Sequence, residues 1–168
     1  MKLRDYISKI QIEIKLKNLR KKGMKIGDDL RLGSNVSFGS EPYLIEVGKH
    51  VTLTNSVRFI THDGGTWVFR DNVKYKKVIK YGKICIRDNV FIGNNVILMP
   101  GITIGENCVI GAGSIVTKDV PDNSVAFGCP AKVHSNIHDY AEKCLRLTPE
   151  YNLNSYRQDK RKELLKIL

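Results

Sequence analysis

The sequence predicts an all-β solenoid: a parallel β-helix of about four triangular coils, carrying one excursion loop and flanked by helices at both ends. Three observations predict it. Twelve six-residue units recur between residues 26 and 121. Their first position is Ile, Leu, Val or Phe every time, and their second is Gly in seven of the twelve. No competing period explains this, because a lone strand alternates about every two residues and a helix repeats about every 3.6.

Residues 3–22 place Leu3, Ile7, Ile10 and Ile14 at 3-4 spacing, the pattern of an amphipathic helix. Residues 1–25 are therefore expected to cap the open end of the stack, whose first coil would otherwise expose strand edges and apolar core. The rival reading is an interfacial helix on an anionic membrane. The apolar face is modest, so capping is preferred and membrane contact is not expected.

From residue 26 the units read IGDDLR, LGSNVS and FGSEPY; the residues LIE then intervene. The series resumes at 47 as VGKHVT, LTNSVR and FITHDG, and at 86 as IRDNVF, IGNNVI, LMPGIT, IGENCV, IGAGSI and VTKDVP. A six-residue period is a short extended segment and a turn, repeated. The first column points inward from each flat face. The fifth column (Leu30, Val36, Val51, Val57, Val90, Val96, Ile102, Cys108, Ser114, Val120) fills the corner. The fourth is rich in Asn, Asp, Gly and His, residues that tolerate positive φ and suit a tight corner. Three units close one coil of 18 residues. Coils then stack by parallel pairing about 4.8 Å apart, each burying what a single coil could not.

The unit FITHDG breaks the rule. His62 falls in the corner column, and Asp63 in the column that is elsewhere apolar. A buried, uncompensated carboxylate costs several kcal/mol, so either Asp63 is paired or the chain has already left the coil. Residues 64–85 fit no unit and form an excursion of about twenty residues. Excursions of that length in a compact repeat are functional or disordered. Trp67, Phe69, Tyr75 and Tyr81 make this one too aromatic for disorder, and it is expected to fold as an arm over a neighbouring surface. A last segment, 134–168, reads as helical on both sides of Pro149.

Composition narrows the function. The net charge is +11, of which residues 1–25 carry +7, residues 132–168 carry +3 and residues 26–131 only +1. The basic excess thus belongs to the helical ends, where it reads as solvated surface rather than a nucleic-acid site. Cys85, Cys108, Cys129 and Cys144 form no CxxC pair and read as reduced thiols of a cytoplasmic protein. No secretory leader or membrane span is expected. His134 and His138 stand four apart, but no third ligand completes a metal site.

The repeated [LIV]-G-x-x-x-x unit over residues 26–121, and above all the stretch IGNNVILMPGITIGENCVIGAGSIVTKDVPDNSVAFGCPAKV at 92–133, resembles the hexapeptide-repeat acetyltransferases. That stretch looks like the end of their galactoside, maltose, xenobiotic and capsular-polysaccharide O-acetyltransferase branch. The resemblance implies a left-handed parallel β-helix domain over 26–133, acetyl-CoA as donor, no metal, and a homotrimer with active sites between subunits. It also implies acetyl transfer to a hydroxyl of a sugar or surface-polysaccharide precursor.

Within that likeness His62 is the expected general base. An alcohol is a weak nucleophile near neutral pH, and an imidazole can take its proton as it attacks the thioester. The partner that fixes the imidazole tautomer is left open between Asp63 and a backbone carbonyl. On the donor side, Gly111 and Gly113 let a ligand approach the main chain. The resemblance places Ala112 on the pantetheine arm, Asn94 near the thioester, Thr117 and Lys118 toward the nucleotide, and Lys132 near the phosphates or adenine. Phe91 matches a position that is often Trp in sugar acetyltransferases. With Asp63 and Trp67 it is assigned to the acceptor side. Three rivals remain: an amine acceptor (a xenobiotic or amino sugar), a non-catalytic scaffold, and a β-helix carbonic anhydrase. The last needs three histidines on adjoining faces, which the positions 50, 62, 134 and 138 do not supply.

Overall fold

The computed structural model describes residues 3–167, with the side chains of the first helix described from residue 10 onward. The chain divides into two units, the boundary falling after Ile137.

In the first unit the hexads close into three sheets whose rungs run parallel. One sheet joins β1 (Lys25–Ile26), β3 (Ile45–Val47), β6 (Ile84–Ile86) and β9 (Thr103–Ile104). A second joins β2 (Arg31–Leu32), β4 (Thr52–Leu53), β7 (Phe91–Ile92), β10 (Val109–Ile110) and β12 (Ser124–Gly128), and closes on the antiparallel β13 (Ala131–Asn136). The third holds β5 (Arg58–Phe59), β8 (Ile97–Leu98) and β11 (Ile115–Val116). Register places first-column residues on one another, as in Leu32, Leu53, Ile92 and Ile110, or Phe59, Leu98 and Val116. Almost every rung is two or three residues long, so the repeat, not any single strand, carries the pairing.

The core follows the columns. Ten of the twelve first-column residues are buried; Ile26 and Leu32, on the outermost coil, are half-buried. The fifth column is buried from Val36 to Val120 except at Asp63, and Leu30 is again half-buried. Each fully buried Ile, Leu or Phe stabilises the stack by about 1.5–3 kcal/mol relative to exposure. The second column is Gly because the next coil seats against it: a Cβ on Gly27 would lie 2.6 Å from the Gly48 carbonyl carbon.

Corner chemistry sets the fourth column. Asp29, Asn35, His50, Ser56, Asn89, Asn95, Asn107, Gly101 and Gly113 all adopt positive φ. Several also bond their counterparts on the next coil. His50 Nδ1 lies 2.8 Å from Asn89 Oδ1, Asn89 Nδ2 donates to Asn107 Oδ1 at 2.8 Å, and Asn107 Nδ2 donates to Asn123 Oδ1 at 3.0 Å. Asp119 departs from the pattern. Its side chain, not a left-handed backbone, serves the turn, accepting the Thr103 N–H at 2.7 Å.

Two fourth-column residues, Glu41 and His62, also escape positive φ. Both stand at the corner between the third sheet and the first, and there the chain leaves the coil twice. After Glu41 a short 3-10 turn, Pro42–Leu44, leads into β3, which the intervening LIE lengthens to three residues. After Thr61 the arm departs. It forms 3-10 turns at Gly64–Phe69 and Val73–Tyr75, then re-enters as β6, whose Ile84 and Cys85 pair with Ile45 and Glu46. Ile84 is wholly buried, so the coil resumes two residues before the expected Ile86.

Helix α1 (Leu3–Lys21) packs on the first coil, but not with the predicted stripe. Ile12, Leu16 and Leu19 are half-buried, with Leu19 against the core, and Lys15 Nζ reaches the Val36 carbonyl at 2.9 Å. Ile10 and Ile14 are exposed, and the side chains of Leu3 and Ile7 lie outside the described residues. The helix carries two apolar lines on opposite sides, about 180° apart at roughly 100° per residue. The sequence pattern does not say which one meets the coil.

Strand β13 runs on to Asn136, past the expected start of the helical segment at 134, because its register with β12 continues there. His134 is therefore a strand residue, stacked on Phe127 with ring centroids 3.8 Å apart, while His138 lies in α2 (Ile137–Leu147), so the two do not share a helix face. The second unit adds α3 (Leu153–Gln158) and α4 (Lys160–Ile167). Among its described residues the one buried charge, Glu163, accepts the Asn152 N–H at 3.0 Å and pairs with Lys166 at 3.1 Å. No described helix is long and apolar enough to cross a membrane.

Candidate active site

The departure corner builds a carboxylate–imidazole pair. Glu41 and His62 occupy the same column one coil apart, and because neither forms a corner, both side chains are free to meet. His62 Nδ1 lies 3.0 Å from Glu41 Oε2. The same oxygen accepts the Thr61 hydroxyl at 2.5 Å. Glu41 is well shielded, its side chain 13% exposed, whereas His62 keeps 44%.

Electrostatics assigns the protons. The Thr61 hydroxyl first, and the His62 imidazole after it, hold the Glu41 carboxyl well below the usual carboxylate range, at about 2. At neutral pH the carboxylate only accepts, so Nδ1 of a neutral His62 must be the donor. Nε2 is then the unprotonated nitrogen, and among the described residues nothing bonds it. That is the state a general base requires.

The arm's neck frames this imidazole. Gly82 N donates to the Thr61 carbonyl at 3.0 Å, Asp63 N donates to the Lys80 carbonyl at 2.9 Å, and His62 and Tyr81 form an antiparallel bridge between these bonds. The Tyr81 ring stands 5.5 Å from the imidazole, tilted by 37°. Asp63 is answered here too. It is not in the core: Lys80 Nζ reaches its carboxylate at 2.7 Å, and the Gly65 N–H donates to it at 2.9 Å. Those two partners, the lysine first, depress its pKa. Asp63 therefore clasps the neck of the arm, and Glu41, not Asp63 or a main-chain carbonyl, orients the His62 imidazole.

Trp67 is 76% exposed on the first 3-10 turn of the arm. The residues assigned to the donor fall on two corners. Thr117 and Lys118 follow β11 and lie in register two coils beyond Ile60 and Thr61, on the His62 corner. Asn94, Gly111 and Ala112 sit at the corner between the second and third sheets. There Asn94 Oδ1 accepts the Asn55 N–H at 3.0 Å, and its carbonyl accepts the Gly113 N–H at 2.7 Å. The bare Cα of Gly111 is taken up by Phe127, whose Cβ lies 2.7 Å from where a side chain would begin, while Gly113 is open to solvent. Lys132 is exposed on β13 and Phe91 on β7, both in the second sheet. One chain therefore gathers His62, Asp63, Thr117 and Lys118 at one corner, Asn94 and Ala112 at another, and leaves Phe91 and Lys132 on the sheet beyond. Among the described residues no group of three or more His, Cys, Asp or Glu side chains could hold a metal.

Sequence reasoning missed Glu41. A signal was present: it is the only Glu in the corner column, and it precedes His62 by one 18-residue coil plus the three residues LIE.

Known proteins align with this chain. A family model described as bacterial transferase hexapeptide (six repeats) matches residues 86–118. Protein CapG of Staphylococcus aureus is 46% identical over 129 residues, covering 76% of this chain and 74% of CapG. The galactoside O-acetyltransferase of Escherichia coli is 59% identical over 118 residues, covering 64% of this chain and 57% of that enzyme. This chain therefore spans little more than half of that enzyme's length. Among solved structures, a hexapeptide-repeat-containing acetyltransferase from Vibrio cholerae superposes with a TM-score of 0.59 at 31% identity, over 68% of this chain and 63% of that one. With the repeat, its corner chemistry and 46% identity across three quarters of CapG all in agreement, this chain belongs to the hexapeptide-repeat transferase family and is an acyltransferase.

Proposed function

We propose that this chain transfers an acetyl group from acetyl-CoA to a hydroxyl of a sugar or surface-polysaccharide precursor, with His62 as general base. The observation that carries the reading is the hydrogen bond from His62 Nδ1 to Glu41, which leaves Nε2 free beside the arm. Nε2 takes the acceptor's hydroxyl proton as that oxygen attacks the thioester carbonyl. The resulting tetrahedral oxyanion collapses, the carbon–sulfur bond breaks, and the imidazolium returns its proton to the departing thiolate. Glu41 stabilises the imidazolium and holds the ring in the working tautomer, as a carboxylate does in a catalytic triad.

Asn94, Gly111, Ala112, Thr117, Lys118 and Lys132 are proposed to hold the donor, and Asp63, Trp67 and Phe91 to border the acceptor. The base and part of the donor set stand on different corners of one chain, which favours a homotrimer whose sites lie between subunits. The stack is read as about four left-handed coils and the protein as cytoplasmic. Galactoside O-acetyltransferase activity of a relative supports a hydroxyl acceptor.

The test is thiol release from acetyl-CoA with a panel of sugars, wild type against His62→Ala. General-base assistance contributes about 10²–10⁴ in rate, and the variant should lose that much of kcat. Undiminished turnover rejects His62 as the base.

A further inference from the structure

The charge of the arm is distinctive. Residues 70–83 carry six basic side chains, Arg70, Lys74, Lys76, Lys77, Lys80 and Lys83, against Asp71 alone, a net +5. The rest of 26–131 holds five basic and nine acidic residues, a net −4. The near-neutral total for this region therefore conceals a cationic strap on an anionic spool.

Part of that charge is spent within the fold. Lys80 is held by Asp63 at 2.7 Å, and Lys83 by Glu46 at 2.7 Å. Arg70 donates to the Thr66 hydroxyl at 2.9 Å, and Lys74 lies over the Tyr75 ring at 5.1 Å. Lys76 and Lys77 are exposed and have no partner among the described residues. Lys77 is three residues from Lys80, within about 11 Å even for a fully extended chain, and Lys80 is bonded to the residue that follows the base. Two unspent lysines thus stand on the segment that leads into the neck, on an element whose exposed Trp67 and Tyr81 offer ring faces to a sugar.

We infer that the acceptor taken at this site is an anionic saccharide, its carboxylate or phosphoryl group met by Lys76 and Lys77 while its ring lies against the aromatic side chains of the arm. A neutral glycoside needs only the aromatic faces. Two exposed lysines with no internal partner are a standing desolvation-free attraction for negative charge, and one that salt weakens. Lysine suits this task because it acts as a point charge and does not demand one planar geometry. The inference rests on acetyl transfer to a sugar for its meaning, but its test does not depend on turnover.

Binding to the whole protein is measured by NMR titration with three matched probes: methyl glucoside, methyl glucuronide and glucose 1-phosphate. The expected result is that at least one anionic probe binds about tenfold tighter than the neutral one, since each exposed ion pair adds only modestly to affinity. That advantage should shrink as salt rises from about 0.01 to 0.15 M. The variant Lys76→Glu/Lys77→Glu should abolish it without altering the affinity for acetyl-CoA or the oligomeric state. A carboxylate preference points to a uronate, a phosphoryl preference to a sugar phosphate. Equal binding of all three probes, or no binding of either anionic one, overturns the inference. So does a charge reversal that weakens acetyl-CoA instead, or that changes the oligomeric state. Loss of turnover in His62→Ala with the probe ranking intact separates the base from the anion site.

Discussion

The coils and the arm follow opposite rules. In the coils the first and fifth columns are buried from Val36 to Val120 apart from Asp63, corner residues bond from coil to coil, and residues 26–131 outside 70–83 carry a net −4. In the arm Thr66 is the one buried residue, Trp67, Val68 and Val73 are more than three quarters exposed, and residues 70–83 carry +5. The coils spend their side chains on one another, whereas the arm keeps its own for something outside it. The Glu41–His62 pair lies at the junction, where the first region stops and the second begins. The contrast teaches that position and recognition are carried by different segments, so substitutions should separate them.

The largest separation is expected at the junction itself. His62→Ala should cost about 10²–10⁴ in kcat with little change in Tm, because the side chain is 44% exposed and holds no coil together. A comparable loss of free energy, but in the other currency, is expected from Leu98→Ala. Leu98 is wholly buried between Phe59 and Val116, and such truncations destabilise by about 2–5 kcal/mol. Calorimetry and thiol release on the two variants would show opposite patterns; matching patterns would break the comparison.

Glu41→Gln is intermediate. It keeps the shape of the side chain and removes the charge, so kcat should fall by about 10²-fold, short of the ~10⁴ seen where loss of a carboxylate also traps the wrong tautomer. Its acid behaviour is distinct. The Glu41 carboxyl titrates at 4.5 in an ordinary setting and at about 2 in the fold, so the folded state binds fewer protons than the unfolded one in between. Its contribution to stability is complete above pH ~4.5 and is lost as pH falls toward ~2. The wild-type Tm should therefore fall more steeply than that of Glu41→Gln across this window, as followed by circular dichroism. The smallest effect on folding is expected in the arm. Trp67→Ala should change stability by no more than about 0.5 kcal/mol, as exposed substitutions do, and should register instead as a raised acceptor KM.

Much of this was legible because the repeat is strict. A first column that is always apolar fixes the inward face, and a corner column of Asn, Asp and Gly announces positive φ, which nine of its members adopt. Legibility failed where a residue obeyed the spacing but not the rule. Glu41 counts as a corner in the sequence, yet its importance depends on a partner 21 residues away that also declines to turn. Asp63 looked misplaced in an apolar column because the neck bonds that move it out of the coil, Asp63 to Lys80 and Gly82 to Thr61, have no local signature. Helix α1 offered two apolar lines, and only packing chose Ile12, Leu16 and Leu19 over Ile10 and Ile14. The unspent Lys76 and Lys77 were invisible in a regional total of +1.

The central claim is that His62 Nε2 is a base aimed at the thioester. A crystal structure of this protein with coenzyme A bound tests it most directly. The account predicts that Nε2 lies close enough to the coenzyme sulfur for one acceptor oxygen to touch both, about 3–5 Å away, with the Nδ1–Glu41 bond intact. A sulfur bound at a corner remote from His62, or an imidazole turned so that Nε2 faces Glu41, would contradict it.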